Sequence, residues 1–298
     1  MAGVWKGKRR DSFRQSPFCI VLLLFTSVWL HSPIFNFATS KQEPLNRVRE
    51  RSGRALHTSA PRLSKLNGQE RYLLGTISKA GKHGWPSVES NIANYSGSAV
   101  PIYTAAMHAA VKCGRYHEGA DIYHRCRRCC QEFDAPVFAE ALHIFRKLKQ
   151  PAQVRKIWNE TLHFCDLNGI LALARITAAA DEGDVEAAAQ VLDLMHSNQV
   201  VVETAHLSSA IRSCWGWGKN RHKAAKYFFD LFSRFNVLPN VISFTNLFGA
   251  YTGAGLKDIL QAYSEMKALQ VLPDTAFAET YLTTLFGKDQ RFTTARSP

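Results

Sequence analysis

The sequence predicts an all-α fold: a right-handed superhelical solenoid of helix-turn-helix repeats of about 35 residues. Three observations predict it. The phrase Val237-Leu238-Pro239-Asn240 returns 34 residues later as Val271-Leu272-Pro273-Asp274. Glycines at Gly114, Gly183, Gly218 and Gly255 mark one internal break, where a helix end needs the left-handed conformation that glycine adopts freely. After the break, apolar residues recur at helical spacing: Val185, Ala188, Val191, Leu192 and Met195 in one copy, Ile259, Leu260, Tyr263 and Met266 in another. A hairpin with one such stripe cannot bury it alone, whereas stacked neighbours can.

The elements follow in order. Residues 1–66 form a leader, and 67–99 a degenerate repeat with a break at Lys79-Ala80-Gly81. Five repeats tile 100–134, 135–168, 169–203, 204–240 and 241–274, with lengths of 35, 34, 35, 37 and 34 residues. A half repeat spans 275–287, within the array 100–287, and 288–298 is a tail. In the second repeat Lys149-Gln150-Pro151 replaces the glycine break, and the proline is expected to stop the first helix. Small residues Ala120, Ala188 and Ala225 are expected where helices cross closely, and the aromatic and Met residues of the stripes belong to the core.

Several of these residues resemble the pentatricopeptide repeat family: Pro239-Asn240-Val241, Asn246-Leu247, Ala254-Gly255, Met266-Lys267 and Pro273-Asp274. The similar tetratricopeptide repeat also has two helices per unit, but it lacks the closing Pro-Asp or Pro-Asn; it or another helical repeat is the alternative. The resemblance covers Val100 to Gly287. It implies sequence-selective binding of single-stranded RNA, with about one base presented to each repeat. By that resemblance the readers are the fifth residue of the first helix and the last residue of the repeat. They would be Thr104 with Asp134, Ser208 with Asn240, and Thr245 with Asp274. Thr with Asp implies guanine, and Ser with Asn implies adenine. Ala139 with Asn168 and Leu173 with Glu203 depart from the pattern and are expected to space the array. The competing structural role for every reader is to cap a helix.

The net charge of +13 invites a nucleic-acid reading, but its distribution is uneven. Residues 1–70 carry 12 basic and 4 acidic side chains, a balance of +8, leaving +5 for the rest. Phosphate affinity of the repeats should therefore be modest, with a shallow salt dependence. Lys112 and Lys147, late in the first helices of adjacent repeats, are the candidate phosphate contacts. The clusters Arg125, Arg127 and Arg128, Arg146, Lys147 and Lys149, and Lys219, Arg221, His222 and Lys223 are solvated faces or binding patches.

The leader reads as an address. Lys6, Lys8, Arg9 and Arg10 precede an apolar run, Phe18–Leu30, of 13 residues, short for a membrane span. Arg47–Lys65 is rich in Arg and Ser and resembles the end of a mitochondrial presequence. The expected location is an organelle, the mitochondrion before a plastid reached through a two-part leader; a membrane signal anchor is the third option. Seven cysteines, an odd number with most on predicted helices, point to reduced thiols. The lone Cys126-Arg127-Arg128-Cys129 lacks the second ligand pair of a structural zinc site, so no metal is expected.

No catalytic constellation is found. Asp181-Glu182-Gly183-Asp184 reads as a helix end followed by a cap, and Trp215-Gly216-Trp217-Gly218 follows no strand, so it is not a dinucleotide loop. Trp215 and Trp217 either pack beneath a longer turn or stack on a base. The expected function is non-catalytic binding of organellar transcripts in their processing, stability or translation. It requires no cofactor and no small-molecule substrate. The alternative is a protein–protein scaffold, a subunit of an organellar ribosome or RNA-processing complex.

Overall fold

The computed structural model describes residues 66–80, 84–216 and 221–286, which form thirteen α-helices and no strand. They alternate as A and B helices of successive hairpins. The first hairpin pairs α1 (Gly68–Ala80) with α2 (Trp85–Ala93), and the second α3 (Val100–Lys112) with α4 (Tyr116–Cys129). Next come α5 (Ala135–Lys147) with α6 (Pro151–Phe164), and α7 (Gly169–Glu182) with α8 (Val185–Ser197). Then α9 (Thr204–Ser213), a 3-10 turn at Cys214–Gly216 and α10 (Arg221–Arg234). Finally α11 (Val241–Ala250), α12 (Leu256–Ala268) and the unpaired α13 (Thr275–Phe286). From α3 onward the A helices start at Val100, Ala135, Gly169, Thr204, Val241 and Thr275. The leader apart from Leu66, and Gly81, Trp217, Gly218, Lys219, Gly287 and the tail, lie outside the described residues.

Each A helix packs on the next A helix, from α1 through α13. Each B helix from α2 to α10 packs on its own A helix and on the following one, while successive B helices make few contacts with one another. The A helices are thus packed on one another more closely than the B helices are, and the face that the A helices expose is called the inner face. The core is continuous through the stack. The fourth residue of each A helix from α3 to α11 is fully buried: Tyr103, Phe138, Ala172, Leu207 and Phe244. Ala188 and Ala225 are fully buried and Ala120 nearly so. A side-chain carbon at Gly119 would lie 3.0 Å from Ile144 Cδ1 and 3.3 Å from Ala110 Cβ, so α4 crosses its neighbours closely and a side chain there would need them to give by a few tenths of an ångström. At the far end Tyr263 of α12 stacks on Tyr281 of α13, their rings 5.0 Å apart.

Two expectations about the breaks need correction. Gly114 and Gly183 are left-handed, at φ 69° and 70°, but in the last repeat that conformation belongs to Gly253, at φ 88°. Gly255 instead sits at φ −65° as the N-cap of α12. In the second repeat Pro151 does not end a helix; it opens α6, where its missing N–H has no intrahelical partner to lose. Lys149 takes the left-handed position there, at φ 55°.

The B helices close by a rule of their own. Gln199, Asn236 and Gln270 adopt φ near 55° (56°, 54° and 54°). Each is followed by a valine whose N–H reaches back across the turn: Val200 to Met195 O at 2.8 Å, Val237 to Phe232 O at 2.9 Å and Val271 to Met266 O at 3.2 Å. This satisfies a terminal carbonyl and sets each valine against the end of its own helix. The first two repeats end their B helices in extended residues instead, Cys130 and Cys165.

One buried charge works against the scaffold. Asp193 on α8 is 8% exposed, and neither carboxylate oxygen receives a hydrogen bond among the described residues. Burial pushes its pKa up from 3.8 to about 6, opposed by the charge of Arg234. The folded state thus holds the proton more tightly than the unfolded chain. The stability that this adds is full below pH 3.8 and is lost as the pH rises through about 6. Asp193→Asn, which keeps the shape without the charge, is expected to raise the thermal midpoint at pH 7.5 and to give little gain at pH 4.5. Melting curves of both proteins at the two pH values check this.

Candidate nucleic-acid interface

Residues four apart share one helix face. Counting from the start of each A helix, the fifth residues are Thr104, Ala139, Leu173, Ser208 and Thr245. One turn on come His108, His143, Thr177, Arg212 and Gly249, and another turn on Lys112, Lys147, Asp181, Gly216 and Gly253. Because the A helices lie side by side, the fifth and ninth positions form two parallel rows, continued by Lys112, Lys147 and Asp181 in α3, α5 and α7, whereas Gly216 and Gly253 lie in turns beyond the ends of α9 and α11.

The first row holds the expected readers, and they do not behave alike. Thr104 and Thr245 are partly exposed, and each donates its hydroxyl hydrogen to the carbonyl four residues back, Val100 O at 3.0 Å and Val241 O at 2.8 Å. Their oxygens are left as acceptors. Ser208 is 5% exposed, and its Oγ lies 2.8 Å from Ser243 Oγ. Ser243 Oγ also lies 3.1 Å from Asn240 Oδ1, so the three side chains form one hydrogen-bonded chain across the repeat boundary. The expectation of three open hydroxyls in line therefore meets the structure at Thr104 and Thr245 but not at Ser208. That hydroxyl is spent on joining the fourth repeat to the fifth. Asn246 Nδ2 strengthens the same junction by donating to Ser208 O at 2.9 Å.

Four of the five repeat-closing residues cap the next helix through a short polar side chain. Asp134 Oδ1 accepts from Val137 N–H at 3.3 Å and Asp274 Oδ1 from Phe277 N–H at 2.7 Å. Asn168 and Asn240 do the same for Leu171 at 2.9 Å and Ser243 at 3.0 Å. One oxygen of each side chain is thereby engaged, and the second group, an oxygen in Asp or an NH2 in Asn, lies on the other side. Glu203 breaks the series: its N–H donates to His206 Nδ1 at 3.0 Å. The other ring nitrogen of this buried imidazole, Nε2, lies 2.9 Å from Gly169 O, which fixes the neutral tautomer with the proton on Nε2.

No family model and no curated protein matches this chain. Among solved structures, the chain is similar to that of the pentatricopeptide repeat protein PPR10 from maize. The TM-score is 0.49 and the identity 16%, over 70% of this chain and 31% of that one. It is likewise similar to PPR10 in complex with an 18-nt psaJ RNA element, with a TM-score of 0.49 and 17% identity, over 78% of this chain and 41% of that one. The chain spans about a third to two fifths of the length of those proteins.

The lower rows carry the charge. Lys112 and Lys147 are exposed at the ends of α3 and α5. In the next repeat the same place is Asp181, which reverses the sign. Asp181 bridges two neighbouring A helices, accepting from Arg146 of α5 at 2.5 Å and from Arg212 of α9. His108 meets Glu140 of the next A helix at 2.7 Å. Burial, with Arg146 and Lys147 adding to it, lowers the pKa of His143 to about 4, so this imidazole is neutral at pH 7. The inner face is consequently less cationic than its count of basic residues implies.

The arginine clusters read as patches are largely structural. Arg125 donates to Ile92 O at 3.0 Å, and Arg127 pairs with Glu160 at 3.0 Å while lying over the Phe133 ring. Arg155 and Arg175 flank Glu182. The cysteines that come together are Cys126 and Cys130, with sulfurs 3.8 Å apart, not the Cys126–Cys129 pair of the motif; Cys129 is exposed. Sequence reading missed Asp181 and Arg212 as members of the interface. The signal was present, since Arg212 falls one turn beyond Ser208 and Asp181 two turns beyond Leu173.

Asp181→Asn should free Arg146 and Arg212 together. The variant is expected to elute from heparin at higher salt, with the salt dependence for single strands steeper by about 0.7 for each arginine released. A loss of about 1 kcal/mol in stability should accompany it. Stepped elution and urea unfolding measure the two effects.

Proposed function

We propose that this protein binds single-stranded RNA through the inner face of its A helices, selecting bases with repeat-borne pairs of side chains and catalysing nothing itself. What supports it is the polarity left at Thr245 with Asp274, with Thr104 and Asp134 at the equivalent places of the first repeat. The threonine hydrogens are donated to the backbone, and one oxygen of each carboxylate is taken by a helix N–H. Both members of each pair are then acceptors only. The base edge that satisfies two acceptors is one with two adjacent donors, which is guanine through N1–H and N2–H2. At the fourth repeat the remaining group is Asn240 Nδ2, a donor, which suits the N1 acceptor of adenine. Ala139 and Leu173 offer nothing to a base. The resulting target is guanine, two unread positions, adenine and guanine.

The sequence resemblance to pentatricopeptide repeats supports the same reading, and the basic leader supports an organelle, the mitochondrion before the plastid. There the protein would cover or expose a transcript segment during processing, decay or translation.

A second reading is a scaffold for protein partners in a ribosomal or RNA-processing complex. It draws on Ile170 and Ile242, the second residues of α7 and α11, which are 71% and 59% exposed. Selection from a randomised RNA pool separates the two. Enrichment of guanine and adenine in the stated order supports RNA reading, and no enrichment transfers the function to the scaffold. Asp274→Asn keeps the cap but turns an acceptor into a donor. It is expected to shift the final position from guanine toward adenine by about tenfold, with the melting temperature unchanged, as measured by titration with oligonucleotides differing at that base.

A further inference from the structure

We propose that Trp215 is a base-stacking platform on the inner face of the array, holding one nucleobase by its flat side without reading its identity. This rests on the RNA-binding reading above and adds to it a contact outside the paired readers.

The position of the ring is tightly specified. Trp215 lies in the 3-10 turn after α9, and its indole N–H donates to Asn246 O of α11 at 2.7 Å. A side-chain carbon at Gly249 would fall 2.4 Å from Trp215 Cε2, 2.5 Å from Cζ2 and 2.7 Å from Nε1. The direction in which residue 249 would project thus runs straight into the indole. Gly249 is one turn beyond the reader Thr245 on the same face of α11. The ring therefore occupies the inner face, one turn below the reader row, and fills the space that the missing side chain leaves.

The backbone beneath it is fixed as well. Arg221 donates to Trp215 O at 3.2 Å and, through its other nitrogen, to Thr252 O. An indole tied at its edge and at its backbone would lose little side-chain freedom when a base arrives. Yet it remains 40% exposed, whereas Trp85 and Trp158 are buried at 6% and 8%. So large an aromatic surface, held rigid and left in water, is unfavourable until something apolar and flat covers it.

The surroundings suit a nucleotide. Arg212, three residues earlier, is 42% exposed at its side chain, with its guanidinium steadied by Asp181. It can meet a phosphate beside the stacked base. The fourth repeat is also the one whose reader hydroxyl, Ser208, is buried. Stacking would supply affinity where hydrogen-bond reading is incomplete, and it tolerates any base because each has a π face.

The test uses the full chain and fluorescent oligonucleotides carrying the selected sequence, intact or with one abasic site at each position in turn. Trp215→Leu is expected to weaken binding of the intact oligonucleotide about tenfold, while Trp215→Phe retains most of it. One abasic position should cost the natural protein a similar factor and cost Trp215→Leu little, because both changes remove the same contact. Gly249→Ala, which displaces the ring while keeping the tryptophan, should reproduce the loss. Circular dichroism confirms folding, and if Trp215→Leu does not fold, the Gly249→Ala and Trp215→Phe results decide. Unchanged affinity in the folded variants, or abasic penalties identical to those of the natural protein at every position, overturns the stacking assignment and leaves the paired readers standing. Failure of the natural protein to bind any oligonucleotide overturns both.

Discussion

Everything in this molecule depends on the lateral packing of one A helix on the next. A single hairpin exposes too much of its apolar stripe to be stable. In the stack, Tyr103, Phe138, Leu207 and Phe244 are each sealed from solvent. The same packing sets the fifth and ninth residues of successive helices in rows. The surface that could meet a ligand is thus a by-product of the contact that holds the fold together. Asp181, tied to an arginine on either side, shows the two roles competing for the same side chains: charges that fasten the repeats are withdrawn from the face.

The period was legible because it is imposed by backbone chemistry that recurs: a left-handed break, a cap and an apolar stripe. Local variants of that chemistry were less legible. Lys149 takes a conformation usually given to glycine, and nothing in its neighbours beyond the following proline signals it. Gly253 and Gly255 are two residues apart, and which of them turns the chain is decided by how α12 begins. The fate of Ser208 could not be read at all, because it depends on Ser243, 35 residues away and across a repeat boundary. Long-range hydrogen bonds leave no periodic trace. The arginine clusters misled for a similar reason, since their partners Ile92 O and Glu160 lie a full repeat away.

The closing residues join stability to selectivity. Asp134, Asn168, Asn240 and Asp274 must accept a backbone hydrogen bond to start the next helix, which restricts these positions to a few short polar side chains. Whatever each presents outward is chosen from that short list. The third repeat, which closes with Glu203 and an imidazole bridge through His206, has left the list, and its first-helix partner Leu173 is apolar. In this one repeat a capping box of Glu203 with His206 replaces the short polar cap, and the polar pair is lost with it.

The sparse outer layer gives the array a direction of compliance. Successive B helices touch little, whereas every A helix is pressed against the next. Tilting one hairpin on its neighbour therefore pivots about the inner layer and strains few contacts outside it. Small tilts at each junction add along the coil, as in a spring hinged on one side. The pitch can lengthen or tighten to match the spacing of whatever lies in the groove, while each local side-chain arrangement stays intact.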